Sequence, residues 1–245
     1  MKKSIDFTQI ELTYVVPIYL ENEKSDVLDD LLSTYSSYSV DVLNKIHFIF
    51  VDDGSPVLVE IDTPFLNYSL FRIEHNIPWN QGGARNLGVM QAKSAKIILT
   101  DLDHLFPEQI FNLLLKRRTP QQIYQFSRYS SGRKVRPHAG TFFCSKSVYY
   151  KSLGFDEEFC GNYGYDDIYF LRLQKKLGTK VKLITKHPIE VREHTRESLE
   201  SHHTLQRDTH YNFRLLKRKS IHFRSSDPLK GHSRKNVEFT WRLVD

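Results

Sequence analysis

The sequence predicts an α/β fold, a mixed and mostly parallel sheet flanked by helices, continued by a basic helical C-terminal extension. Three observations carry this. Short apolar runs, polar turns and helical patterns recur in alternation, which is the signature of strands packed under helices. Several of the runs end in carboxylates. The 245 residues are 40% hydrophobic, 26% charged and 13% aromatic, enough to bury a sizeable core and unlike a disordered, collagenous or coiled-coil chain. Cys144 and Cys160 are the only cysteines, which excludes a disulfide-stapled scaffold and a Cys-rich zinc module.

The elements follow in order. Leu12 to Tyr19 is an apolar first strand, and Leu28, Leu31, Leu32 and Tyr35 recur at helical spacing after a Ser25-Asp26 start. Ile46 to Val51 is a second strand that runs into Asp52-Asp53-Gly54-Ser55, and Tyr68 to Ile73 is a third. After a loop holding Asn80-Gln81-Gly82-Gly83, a helix is expected over Ala84 to Ala95, then a fourth strand over Lys96 to Thr100 ending in Asp101-Leu102-Asp103. Tyr129 to His138 reads as a mobile basic loop. Phe142 and Phe143 fall in a short strand, with a helical turn through Tyr149 and Tyr150. Asp166 to Leu177 reads as a helix with acids first and Lys175-Lys176 last, the order the helix dipole favours, stopped by Gly178. A basic helix is expected from about Leu205 to Lys219.

The net charge of +6 resides in the tail: residues 201–245 carry ten Lys or Arg against four Asp or Glu. Residues 1–200 are therefore expected to form one domain, with 201–245 a basic extension packed on or beside it. A basic face favours an anionic partner, whether a membrane surface, a phosphate-bearing acceptor or a nucleic acid. Met1-Lys2-Lys3 could open a signal peptide, but Asp6, Gln9 and Glu11 interrupt the apolar run it needs. No stretch approaches the roughly 20 uncharged apolar residues that span a bilayer. The expectation is a cytoplasmic protein.

Asp101 and Asp103 can both reach one hard cation only if the chain turns between them; Mg²⁺ or Mn²⁺ on a nucleotide is held in this way, by one or two carboxylates and phosphate oxygens. Alone, the tripeptide reads more readily as an ordinary pair of turn or cap aspartates before the helix beginning at Pro107. Asp52 and Asp53, at another strand end, could accept hydrogen bonds from a base N–H or a ribose hydroxyl. Arg85, after Gly82-Gly83, could meet phosphate or base oxygens. Three such features at successive strand ends point to one ligand edge, since open α/β sheets bind ligands at the carboxyl ends of their strands.

Five stretches in this order resemble the landmarks of GT-A-fold glycosyltransferases: Val15 to Tyr19, Val51 to Ser55, Asn80 to Gly88, Asp101 to Asp103 and Gly154 to Phe159. The resemblance is to the inverting family 2 type and to the related β-galactosyltransferase group, and it covers about Leu12 to Arg196. It implies a Rossmann-like fold and a nucleotide-sugar site in which Pro17, Tyr19, Asp52, Asp53, Arg85 and Asp101 hold the donor. Asp103 resembles the metal-binding second acid of the DxD motif, and Asp101 the acid that contacts ribose or metal-bound water. Gly161 to Asp167 resembles the turn and acidic pair that bind the acceptor and supply the base. Here the usual Glu-Asp is altered: one register makes Asp166 the base, a one-residue shift makes it Asp167, and a shortened Glu at Asp166 is the milder change. His194, in His194-Thr195-Arg196, resembles the late histidine that completes a Mn²⁺ site, with His202, His203 and His232 as rivals.

The implied activity is transfer of a sugar from a nucleoside diphosphate sugar to a hydroxyl of a glycan or lipid-linked acceptor, with Mn²⁺ or Mg²⁺. UDP is the donor nucleotide the resemblance favours. A non-catalytic binding module and a sugar nucleotidyltransferase are the alternatives. The first would show salt-dependent nucleic-acid binding, though the basic-aromatic motifs of RNA-binding domains are missing; the second needs a Gly- and Lys-rich phosphate loop where Pro17-Ile18-Tyr19-Leu20-Glu21 stands. The basic helix could also rest on anionic lipid.

Overall fold

Strands β1 (Leu12–Ile18) and β2 (Ile46–Asp52) are buried along their whole length, as expected of apolar parallel strands covered on both faces. They pair in parallel from Leu12 opposite Ile46 to Ile18 opposite Asp52. The structure, a computed structural model, describes residues 6–22, 25–192 and 204–244. Helix α1 (Asp26–Ser36) starts where the sequence places it, because Ser25 Oγ accepts the Leu28 N–H at 3.3 Å. Its buried face, including Leu28, Leu31, Leu32 and Tyr35, covers the sheet, and Tyr35 meets the Tyr14 hydroxyl at 2.9 Å. A short helix, α2 (Val40–Leu43), leads into β2.

β3 (Asn67–Ile73) extends the sheet beyond β2, and β4 (Lys96–Leu99) pairs with the other side of β1, all in parallel. The β1/β4 boundary is thus where the strand order reverses, the place at which open α/β sheets form a ligand crevice. Along β1, β4 pairs only with Leu12 to Val15. Strand alternation turns the Pro17 nitrogen to the same side, past the end of that ladder, so its missing N–H breaks no β1–β4 bond.

Helix α3 (Gln81–Gln91) starts three residues before the expected Ala84 and ends four before Ala95. The Ala84 N–H bonds to the Asn80 carbonyl at 2.9 Å, so Gly82 and Gly83 are helical rather than loop. Their low helix propensity is overridden by close packing: all of 82–89 is buried, and a Cβ on Gly88 would run into Val15.

The second half adds β5 (His104–Leu105), α4 (Glu108–Leu115), β6 (Ile123–Ser130), β7 (Arg133–Val135), β8 (Phe142–Ser145), α5 (Lys146–Tyr150), α6 (Asp166–Lys176) and β9 (Val181–Val191). Together the described strands form a ten-stranded mixed sheet in the order β10-β3-β2-β1-β4-β8-β6-β9-β5, with β7 beside β6. The expected basic loop is instead a hairpin: β6 and β7 pair antiparallel across Ser131 (φ 43°) and Gly132 (φ 73°), the left-handed pair that a two-residue hairpin turn requires.

Helix α7 (His210–Ser220) starts five residues later than the expected Leu205. Leu215 and Leu216 pack with Phe159, Tyr169 and Leu173, while Asn212 donates to the carbonyls of Phe159, Asn162 and Gly164 at 2.7–2.9 Å. Lys219 is buried in ion pairs with Asp156 (2.7 Å) and Glu158 (2.5 Å) and so adds nothing to an exposed basic face. The chain then returns to the sheet as β10 (Trp241–Val244), antiparallel to β3. None of the described helices is long and apolar enough to cross a membrane.

Candidate active site

The acids singled out in the sequence leave the ends of β2 and β4 and the start of α6, and most face one crevice. Asp52 does not. It is buried, its carboxylate accepts from Arg72 Nη1 at 2.6 Å and from the Ser55 N–H at 2.9 Å, and it locks the turn after β2. Asp53 is 3% exposed and faces Asn80, yet among the described residues its buried Oδ1 and Asn80 Nδ2 have no aligned hydrogen-bond partner. Burial pushes the Asp53 pKa well up, with Asn80 working against it. Tyr19, at the end of β1, is half-buried beside Asn76, and burial raises its hydroxyl pKa.

Arg85 is 1% exposed and spans two of the acids. Its guanidinium donates to Asp101 Oδ1, and Nη1 lies 3.5 Å from Asp166 Oδ2. Gly140 makes room for it, since a Cβ there would lie 2.8 Å from Nη2, and the Phe155 ring lies 5.2 Å from Cζ. Burial opposes the charge, but Asp101, then Asp166 and Asp167, hold the Arg85 pKa above its usual value. Arg85 is therefore a strut between acids rather than a side chain open to solvent.

The chain turns after β4, with the His104 N–H on the Asp101 carbonyl at 3.3 Å, which satisfies the condition set by the Asp101–Asp103 spacing. Burial alone would raise the Asp101 pKa, but Arg85, then His138 and His104, hold it far below the carboxylate range. Asp103 goes the other way, to about 6, through burial and then the charge of Asp101. At the N-terminus of α6, entered through Tyr165 in the left-handed region (φ 67°), Asp166 is raised to about 6 by burial and then by Asp167. Asp167 is raised as well, chiefly by burial. One of its oxygens accepts the Ile168 N–H at 2.6 Å.

Two histidines absent from the sequence expectations complete the crevice. His138, one-third exposed, places Nδ1 3.1 Å from Asp101 Oδ2 and Nε2 4.0 Å from Asp167 Oδ2. His104 is buried, and burial lowers its pKa to about 4, so it is neutral. Its Nδ1 meets Thr141 Oγ1 at 2.7 Å, and its Nε2 accepts from Arg128 Nη1 at 2.9 Å. The only cues were the adjacency of His104 to Asp103 and a histidine before Gly140. His194, His202 and His203 lie outside the described residues. His232 is buried beside Asp156 and Lys219, whose charges both act on it, and so belongs to another cluster.

The donor set fits a divalent cation. Asp101, His104 and His138 present ligand atoms within 4.8 Å of one another. Of these, His104 has both nitrogens engaged and orients its neighbours. His138 Nδ1 and Asp101 Oδ2 face each other with no aligned hydrogen bond, and Asp103 carries a destabilised negative charge beside them. The group holds one carboxylate, Asp101, and does not include Asp103; a carboxylate with imidazole suits Mn²⁺ better than Mg²⁺.

Comparison with solved structures gives the same architecture. The chain superimposes on residues 1–349 of S. aureus TarS, solved with UDP-GlcNAc, at a TM-score of 0.60 and 12% identity, over 80% of this chain and 62% of that one. It also matches the mannosyltransferase PcManGT from Pyrobaculum calidifontis, solved with GDP-Man and Mn²⁺ (TM-score 0.52, 14% identity, 89% and 64% of the two chains). A third match is the catalytic domain of Drosophila beta1,4galactosyltransferase 7, solved with xylobiose (TM-score 0.51, 14% identity, 90% and 83%). The chain thus spans less than two thirds of the TarS fragment it matches. Curated protein sequences include no match. Residues 13–178, most of the chain, match the family described as glycosyl transferase family 2, so the Rossmann-like GT-A fold and the acids at its crevice belong to a member of that family.

Proposed function

We propose that the protein is a metal-dependent inverting glycosyltransferase that moves a sugar from a nucleoside diphosphate sugar, with UDP as the nucleotide, to a hydroxyl of a glycan or glycolipid acceptor. The observation that carries this reading is the meeting of Asp53, Asp101, Asp103, Asp166 and Asp167 at the carboxyl edge of the parallel strands, with Arg85, among the described residues, the cation buried between them. Neighbours of the same fold bind UDP-GlcNAc and GDP-Man, which supports a nucleotide-sugar donor.

In this reading Asp53 Oδ1 accepts a base N–H or a ribose hydroxyl, with half-buried Tyr19 beside it at the end of β1 and Pro17 buried in the strand behind them. Asp101, Asp103 and His138 would hold Mn²⁺ or Mg²⁺, a role His194 would share; when bound, the ion supplies Lewis-acid stabilisation of the departing diphosphate. Arg85 holds Asp101 ionised and oriented. His104, kept neutral, fixes Arg128, whose charge acts on Asp103 and Asp101.

Asp167 is the general base. One of its oxygens is fixed by the Ile168 N–H, the other would take the acceptor proton, and burial raises its pKa, the direction that strengthens a base. The acceptor oxygen bonds to the anomeric carbon as the carbon–diphosphate bond breaks on the opposite face, so the configuration inverts. Asp166, tied to Arg85, positions the turn. The protein works in the cytoplasm, with α7 in peripheral contact with anionic membrane through Arg214 and Lys217.

Nucleotide-sugar turnover with and without EDTA tests this. Asp103→Ala should abolish metal-stimulated turnover, and Asp167→Asn should lower kcat by about 10²–10⁴-fold, the usual worth of a general base. Full activity in chelator, or in both variants, overturns it.

A further inference from the structure

A groove of about 480 Å³ lies between α6 and α7, lined by Tyr165, Arg172, Phe213, Leu216, Lys217, Ser220, Ile221 and Arg224. Its position is the first point: Tyr165 immediately precedes Asp166 and Asp167, so the groove opens beside the turn that carries the acceptor-side acids. Its charge is the second. Three cations and no acid line it. Among the described residues none of the three is in an ion pair, whereas Arg218 and Lys219 on the same helix are both matched by Glu158. Its walls are the third: the Tyr165 and Phe213 rings lie 5.6 Å apart, Lys217 Nζ sits 4.3 Å from the Phe213 ring, and Phe213 and Ile221 are exposed at 40% and 70%. The Ser220 hydroxyl, at the same wall, is buried with no hydrogen-bond partner among the described residues.

Cations without acids select an anion, and guanidinium groups match phosphate oxygens with two parallel N–H donors. Exposed aromatic and aliphatic side chains beside them select an apolar chain attached to that anion. We propose that this groove is the acceptor subsite for a sugar joined through phosphate to an apolar chain, with Arg172, Lys217 and Arg224 on the phosphate and Phe213, Leu216 and Ile221 under the chain. The sugar then extends past Tyr165 toward Asp167. This inference rests on the transferase reading for the sugar's fate, but the phosphate subsite is separately measurable.

The test uses the full chain and octyl phosphate as probe, with inorganic phosphate and octyl glucoside as the two halves of its chemistry, followed by calorimetry below the micelle concentration. Octyl phosphate should bind at least tenfold more tightly than either half. The double variant Arg172→Glu, Lys217→Glu, at exposed positions on two helices, should weaken it by about tenfold or more per cation, the scale of one charge-assisted hydrogen bond. Arg172→Lys with Lys217→Arg should restore most of the affinity. Equal binding of octyl glucoside, equal binding of inorganic phosphate, or unchanged affinity in the charge-reversed variant each overturns the proposal. UDP with Mn²⁺ is titrated in parallel into wild type and variant. Loss of UDP binding in both proteins removes the transferase reading while leaving the octyl phosphate result standing, so the two failures are distinguishable.

Discussion

Replacing Arg85 by Met separates the strut role of this residue from any direct contact with a ligand. The side chain is 1% exposed, donates to Asp101, lies 3.5 Å from Asp166 and has no route to solvent in this packing. Methionine keeps much of the buried volume and removes only the charge and the fork. Two largely buried acids then lose their shared counter-charge, and breaking a buried pair by removing one partner costs about 3–5 kcal/mol. For a chain of this size each kcal/mol lowers Tm by about 2–4 °C, so a fall of about 6–20 °C is expected near pH 7.5. The pH dependence is the sharper readout. Without Arg85 the Asp101 pKa rises, the folded state takes up protons that the unfolded state does not hold until lower pH, and the variant recovers stability as the pH falls. Thermal unfolding of both proteins at pH 7.5 and 5 measures the difference. A Tm change below about 2 °C at pH 7.5, or a loss that stays the same at pH 5, would refute the strut argument.

Two further outcomes follow from the same electrostatics. Asp103, with its pKa raised to about 6, destabilises the metal-free protein at pH 7.5; Asp103→Asn should raise Tm there while removing the stabilisation expected of Mn²⁺ in the wild type under the proposed function, and a lower Tm for the variant in chelator would contradict this. Buried His47, lowered to about 4 by burial and then Lys93, stays neutral in the folded state while the unfolded state protonates below about 6.5; its contribution is therefore lost as pH falls from 6.5 toward 4, by about 3 kcal/mol, and His47→Gln should flatten the stability curve over that window in denaturant titrations.

The sequence made the parallel half of the fold readable because its strands are continuous apolar runs and its first helix carries a Ser cap. Asp53, Asp101, Asp103, Asp166 and Asp167 stand out as candidates for a related reason: strand and helix ends are where such residues have no core role. Other parts gave weak signals. β9 presents Lys182, Thr185, Lys186 and Glu190 outward, and its pairing with β6 is interrupted between Phe126 and Arg128, so neither a continuous run nor a clean alternation marks it. β10 gains its strand character from β3, which no local pattern announces. His138 sits in a polar, basic stretch whose hairpin depends on two left-handed residues, and only folding brings it to Asp101 and Asp167. Asp52 and Asp53 are neighbours of the same type with opposite fates: one is saturated by Arg72 and Ser55, the other is left with an unpaired oxygen, a difference set by a strand twenty residues away.

The most direct measurement is calorimetric titration of UDP into the wild-type protein with Mn²⁺, with chelator, and into Asp103→Ala with Mn²⁺. One pocket built from distant acids predicts binding that depends on the cation and is lost in the variant. UDP binding of equal affinity in all three titrations, or in none, would contradict it.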